Sequence, residues 1–313
     1  MSTAEKQPIK YLIVGAGGTG GAIGAYMARG GKNITFIVRG EHLKAMKEKG
    51  LKVELPDDEF VISPVQAADS ESYHDKPDVV FVCVKGYSLK DITPFLQRIS
   101  DEHTIIIPIL NIFTTGKELA EALPGRLVTD GCIYVAAQIK EPGCIQMRGE
   151  ILRLFFGVRN KEDFREELKT VDADLRESGI EGGLSEDIKK DALIKFACVS
   201  PQGACGLFYN TTAGEIRKPG EIRDCYITLV KEIESLAEAM GIHFGEDIVA
   251  RNLAILDGVA PDTTTSLQRD VASGGASEID GLIYEVVRLG DEYGVAVPEY
   301  RKISEELKRR GLT

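Results

Sequence analysis

The chain has no tryptophan and only 4 histidines in 313 residues. So small a histidine supply argues against a His-rich metal centre. Its 6 cysteines, Cys83, Cys132, Cys144, Cys198, Cys205 and Cys225, include no CxxC pair, which excludes zinc-knuckle and thioredoxin-like motifs. Most sit in apolar surroundings, such as Val82-Cys83-Val84 and Ala197-Cys198-Val199, and read as reduced core thiols. No apolar run approaches the ~20 residues that span a bilayer. The opening MSTAEKQPIK lacks the apolar core of a signal peptide, so a cytoplasmic location is expected. Positive charge is in deficit, with 38 Lys and Arg against 49 Asp and Glu for a net charge of −11. That balance argues against general affinity for nucleic acid or membrane.

What remains is the composition of a globular protein, 43% hydrophobic and 28% charged. At ~150 residues per domain, about two domains are expected. The first part alternates strand and helix. Ile9 to Val14 is β-prone, Ala22 to Arg29 is a helix of small residues, and Asn33 to Val38 is a second strand. Leu51 to Leu55 and Phe60 to Val65 flank a polar turn and read as a hairpin. Val79 to Val84 and Thr104 to Leu110 are continuous apolar runs, as in strands buried on both faces of a parallel sheet. The β-prone stretches from Arg126 to Phe156 are expected to extend that sheet with antiparallel pairings. Gly182-Gly183 reads as the hinge, giving domains at 1–183 and 184–313. Beyond Ser185 the pattern is helical, and Ser277-Glu278-Ile279-Asp280 fits a capping box before a helix over Gly281 to Tyr293.

Between the first strand and helix lies Gly15-x-Gly17-x-x-Gly20. There the first glycine makes the turn, the second lets backbone approach a pyrophosphate, and the third allows the helix to pack on the strand. The N–H groups of Gly18, Thr19 and Gly20 would open toward the anion. The pattern predicts a dinucleotide-binding domain of Rossmann type. The second strand ends in Val38-Arg39-Gly40, where an acidic residue would suit NAD and an arginine suits the 2′-phosphate of NADP. NADP(H) is therefore expected, read by Arg39, with Arg29 or Lys44 as lesser contacts.

Lys85 and Asn111 follow two of the apolar strands, where ligands of open α/β sheets bind. Position alone leaves them equally explained as ordinary loop polarity. Lys195 is the one charge in Ala192 to Val199. Burying an ammonium without a partner is costly, so it either acts as a proton donor to a developing alkoxide or snorkels to solvent.

Taken together, these residues resemble the ketopantoate reductase (2-dehydropantoate 2-reductase) family. The resemblance rests on the glycine loop, Arg39, Val84-Lys85, Pro108-x-x-Asn111, Lys195-Phe196, and Ser266-Leu267-Gln268-Arg269-Asp270 followed by Ser277-Glu278-Ile279-Asp280. It implies an N-terminal Rossmann-type domain with an all-helical C-terminal domain. It implies NADPH-dependent reduction of a 2-oxo acid to a 2-hydroxy acid, 2-dehydropantoate to pantoate first, in pantothenate biosynthesis. By that resemblance Lys195 is the general acid and Glu278 places lysine, substrate and cofactor. Ser266 and Asn111 bind substrate, and Lys85 and Asn111 also touch the cofactor. A homodimer is also implied. The family's Asn-Gly is Asn111-Ile112 here, and Val199 and Gly203 stand where members carry asparagines that hold substrate. That leaves reduction of a different branched 2-oxo acid as a second reading. A non-catalytic NADPH-binding regulator is a third, opposed by the retention of Lys195 and Glu278.

Overall fold

The computed structural model describes residues 8–312. It divides into two compact units, residues 8–110 with 115–188, and residues 111–114 with 189–312.

The N-terminal unit opens with β1 (Lys10–Val14), α1 (Gly18–Arg29), β2 (Asn33–Ile37) and α2 (Gly40–Lys49). The hairpin β3 (Leu51–Glu54) and β4 (Glu59–Ile62) follows, then β5 (Gln66–Ala68), β6 (Val79–Val82), α3 (Leu89–Ile99), β7 (Ile105–Pro108), α4 (Thr115–Ala122) and β8 (Leu127–Val128). Two long strands, β9 (Asp130–Glu141) and β10 (Cys144–Gly157), precede α5 (Glu167–Glu177) and β11 (Glu181–Leu184).

Six strands form a parallel sheet in the order β5-β2-β1-β6-β7-β8. Because successive side chains of a strand point to opposite faces, its central strands feed two cores. Tyr11, Ile13, Val79, Phe81, Ile105 and Ile107 enter one. Leu12, Val14, Val80, Val82 and Ile106 enter the other, against α3 and α4. Full burial of each such side chain contributes ~1.5–3 kcal/mol, which explains the unbroken apolar runs.

The expected extension of this sheet by β9 and β10 does not occur. They pair antiparallel with each other in a second sheet, where β10 lies between β3 and β11. The reason lies in α1. Its glycines on one side meet the first sheet, where a Cβ on Gly24 would strike the Phe36 ring. On another side, a Cβ on Gly21 would lie 2.7 Å from Ile145, and one on Gly18 would strike the Ala137 carbonyl. A helix this slender lets two sheets close on it. The hinge reading of Gly182-Gly183 also fails. Both lie in β11, paired with Leu154 and Phe155, at φ +90° and +119°. A side chain there would collide with the Leu154 carbonyl or the Asp172 carboxylate.

The C-terminal unit is helical: α6 (Ile188–Phe208), α7 (Ala213–Ile216), α8 (Glu221–Ala239), α9 (Ile248–Gly258) and α10 (Ser266–Ala272). A π-helical turn over Asp280–Tyr284 then leads into α11 (Glu285–Tyr293), followed by α12 (Pro298–Arg309). Fully buried Phe196, Tyr226 and Tyr300 anchor its core. Pro201 lies inside α6 and has no N–H for the carbonyl four residues back. That carbonyl, Ala197 O, instead accepts from buried Asn252 Nδ2 at 2.9 Å. No described helix is long and apolar enough to cross a membrane.

Candidate active site

In chain order the parallel sheet reads 3-2-1-4-5-6, so its order reverses between β1 and β6. Ligands of such sheets bind beyond the strand ends at that reversal. The glycine loop leaves β1 there. Gly15 has φ +95°, and a Cβ on it would lie 3.0 Å from the Cys83 carbonyl and the Val84 nitrogen. Its N–H donates to Ile37 O at 3.0 Å. The loop is thus drawn between the ends of β6 and β2, which places Lys85 on one side and Arg39 on the other. Gly20 is closed in, since a Cβ there would run into the Gly15 carbonyl. Gly17, at the N-cap of α1, has nothing within 4 Å of a Cβ position. Two glycines are therefore required by the protein itself, and the middle one faces free space. That cradle fits a pyrophosphate.

Arg39 is exposed at the N-cap of α2, and its guanidinium bonds no described residue. Arg29 does not share its role. It sits in the last turn of α1, stacked 4.5 Å from the Phe60 ring centroid, and a helix of this length puts it ~18 Å from the loop. None of the six cysteines is in a disulfide. Burial pushes the thiol of Cys83, a neighbour of the loop, well above its ordinary range.

In the C-terminal unit, α6 is buried from Ala192 to Gly206 except at Lys195, Val199 and Gln202. Spacings of four and three residues put these on one stripe. The lysine head is close enough to Cys198 to counter, in part, the rise that burial imposes on that thiol. Asn111 to Thr114 packs on the same helix, with the Phe113 and Phe196 rings 6.3 Å apart. Ile112 packs against Gly281, where a Cβ would lie 2.7 Å from Ile112 Cγ1. Leu267 covers Gly203, its Cδ2 standing 3.0 Å from a Cβ position there. Residues following Asn111 thus touch the residue after Lys195 and the turn after Glu278, and the residue after Ser266 touches α6 two turns beyond Lys195.

Side chains in this region divide by use. Ser200 is committed to Leu282 O (2.5 Å) and Tyr300 (2.6 Å), and the Gln268 amide to Gly206 O and Thr211 O. The half-buried Asn111, Ser266 and Gln202 side chains hydrogen-bond no described residue, so their polar groups are open to solvent or to a ligand. Glu278 is 5% exposed. The expected capping box at Ser277 is absent: the π turn has no side-chain cap, and Glu278 O accepts from Leu282 N–H at 2.9 Å. A capping box occurs instead at Thr265 and Gln268, and Ser266 is the first residue of α10. Sequence reasoning passed over Gln202, although its place seven residues after Lys195 puts it on the same helical face. It also passed over His42, for which nothing in the local pattern signals a role.

A glycine cradle at the reversal point of a parallel sheet, followed by a helical unit with a lysine on its open stripe, defines a nicotinamide-dinucleotide oxidoreductase. Residues 11–161 match the family model for ketopantoate reductase PanE/ApbA, and residues 187–311 match that for its C-terminal part. The chain belongs to the ketopantoate reductase family, whose members are oxidoreductases acting on CH–OH groups. It is 24% identical over 296 residues to an uncharacterized oxidoreductase, YkpB, of Bacillus subtilis, covering 93% of this chain and 95% of that one. It is 26% identical over 308 residues to the 2-dehydropantoate 2-reductase of Mesorhizobium japonicum, covering 90% and 91%. The fold matches a ternary structure of D-mandelate dehydrogenase with NADH and anilino(oxo)acetate (TM-score 0.85, 20% identity, 95% and 96% covered). It also matches dimeric ketopantoate reductase from Staphylococcus aureus (TM-score 0.80, 19% identity, 96% and 98% covered).

Proposed function

We propose that this chain reduces 2-dehydropantoate to pantoate with NADPH, as a cytoplasmic step in pantothenate biosynthesis. In this reading the N-terminal unit holds the dinucleotide and the C-terminal unit the keto acid. The observation that carries it is the open stripe of α6. Lys195 stands there with Val199 and Gln202, and residues adjacent in sequence to Asn111 and Ser266 pack on the same helix, which supports the reading.

The loop from Gly15 to Gly20 would hold the pyrophosphate, Arg39 the 2′-phosphate, and Lys85 and Asn111 the nicotinamide end. Glu278 would also contact the dinucleotide. What the bound dinucleotide supplies is the hydride for the keto carbon. Lys195 donates a hydrogen bond to the keto oxygen and passes its proton there as the alkoxide forms. Ser266 and Asn111 donate to the substrate carboxylate. Glu278, an acid, would repel that carboxylate, so its place is at the lysine head, holding the ammonium toward the keto oxygen. A homodimer is in keeping with the dimeric relative.

A second reading is favoured by two residues. Val199 stands one turn from Lys195, and Ile112 lies beside Asn111; both are apolar. A substrate whose side chain carries no hydroxyl, branched or bulkier than 2-dehydropantoate, suits those walls. NADPH oxidation across a panel of 2-oxo acids tests both. The first reading expects the highest kcat/KM on 2-dehydropantoate, and a higher value on an unhydroxylated or aromatic acid selects the second. On the best substrate, Lys195→Ala should cut kcat by ~10²–10⁴-fold with NADPH still bound. Turnover near normal would return Lys195 to a snorkelling role.

A further inference from the structure

His42 lies in the first turn of α2, 9% exposed, and both its ring nitrogens are engaged. Nδ1 accepts from the Gly143 N–H at 2.9 Å, in the turn joining β9 to β10. With Nδ1 an acceptor, the proton sits on Nε2, which donates to the Ala16 carbonyl at 3.0 Å. Only this neutral tautomer satisfies both bonds. An imidazolium would face the Gly143 N–H with another donor. Burial favours the neutral ring by pushing its pKa down. The turn that aims the ring is itself pinned, because Gly143 O accepts from the Lys52 N–H of β3 at 2.9 Å.

Ala16 is the second residue of the glycine loop and is 2% exposed. Its peptide with Gly17 is planar and trans, so the Ala16 carbonyl and the Gly17 N–H point in opposite directions. With that carbonyl drawn toward His42, the Gly17 N–H points to the side away from His42. Gly17 is also the loop glycine with nothing within 4 Å of its Cβ position. Two separate observations, a bonded carbonyl and an open α-carbon, thus agree on which side the loop presents.

We propose that His42 is the latch of the phosphate loop. It sets the Ala16–Gly17 peptide plane so that an N–H, not a carbonyl, meets the dinucleotide pyrophosphate. With the plane turned over, the Ala16 oxygen would face the phosphates and repel them. His42 touches neither cofactor nor substrate; it is a positioning residue. The inference rests on reading the glycine loop as the pyrophosphate site.

Asparagine and glutamine divide the ring's two functions. Glutamine puts an amide N–H near the Nε2 position and keeps the bond to Ala16. Asparagine puts an oxygen near the Nδ1 position, keeps the bond to Gly143 and falls short of Ala16. NADPH titration should show His42→Asn weakened about tenfold and His42→Gln within about threefold of wild type. KM for NADPH should rise with the dissociation constant in His42→Asn, while kcat at saturating NADPH stays unchanged. Equal NADPH affinities for the two folded variants would overturn the latch, as would a loss confined to kcat. If His42→Asn does not fold, nitrogen NMR of the histidine rings in the wild-type protein decides. The Nε2–H tautomer is expected with and without NADPH, and an Nδ1–H or imidazolium signal refutes the proposal. A wild-type protein that binds no NADPH brings down the pyrophosphate reading and the latch together. Tight wild-type binding with indistinguishable variants removes the latch alone.

Discussion

Alanine at Gly17 and alanine at Gly20 should have opposite consequences, although both lie in one loop. Gly17 has φ −70° and ψ −165°, a backbone that any residue adopts. A methyl there meets no protein atom within 4 Å. At an N-cap, alanine in place of glycine costs ~0.5–1 kcal/mol, and the narrower unfolded ensemble offsets ~0.4–1 kcal/mol. Stability of Gly17→Ala should therefore stay within ~1 kcal/mol of wild type, a Tm shift of no more than about 2–4 °C. The methyl projects instead into the space where a pyrophosphate would approach. Overpacking of ~1–3 kcal/mol corresponds to about 5- to 150-fold weaker NADPH binding. Gly20 differs because its Cβ would collide with the Gly15 carbonyl and stand 2.9 Å from both Cys83 Cβ and Ile13 Cγ2. Backbone cannot yield as a flexible side chain does, so Gly20→Ala should lose ~1–3 kcal/mol or more of stability. Thermal melts and fluorescence titration with NADPH on both variants make the comparison. A Gly17→Ala protein that binds NADPH as tightly as wild type would refute the assignment of that open space to the cofactor.

Removing the Arg39 guanidinium should weaken NADPH by about 10- to 150-fold and leave NADH nearly unchanged; equal loss for both in titrations would remove it from the 2′-phosphate. Asn252→Ala leaves the Ala197 carbonyl without a donor, because Pro201 has no N–H to offer. Melts should show it destabilised by ~1–3 kcal/mol, and an unchanged Tm would mean that the carbonyl finds another partner. The pH dependence of stability should separate wild type from His42→Gln. Burial holds the His42 pKa below its ordinary value near 6.5, so as pH falls the unfolded chain takes up the proton first. The stability contributed by the neutral ring is complete above about pH 6.5 and is lost as pH drops toward the folded-state value. Between about pH 7.5 and about pH 5.5 the wild type should lose more Tm than His42→Gln, and a larger loss in the glutamine variant would show the sign to be wrong.

Local chemistry was enough for part of this molecule. Val79 to Val82 read as a strand buried on both faces, because nothing polar in it could meet solvent. The glycine spacing after β1 announced a phosphate loop, since only glycine permits the turn at Gly15 and the close contact at Gly20. The helical periodicity of Glu221 to Met240 likewise stood on its own, and α8 spans Glu221–Ala239. Lys195 was conspicuous because a charge within an apolar run needs a reason.

Tertiary structure decided what depends on partners far along the chain. Whether β9 and β10 widened the first sheet or built a second could not be read from their own residues. The glycine faces of α1, more than a hundred residues earlier, settled it by admitting a second sheet. Gly182 and Gly183 carry the composition of a hinge, yet their freedom is spent on letting β11 lie against Leu154 and Asp172. Ser277 to Asp280 satisfies a capping pattern that Thr265 to Gln268 actually forms, because both fit the same short-range rule and only packing chooses between them. His42 gives no local sign of function, for its two bonds run to Ala16 and Gly143, separated from it by 26 and 101 residues. Asn111, Ser266 and Gln202 differ from Ser200 and Gln268 only in whether the fold already uses their hydrogen bonds. A sequence lists which groups can bond; the folded chain determines which remain for a ligand.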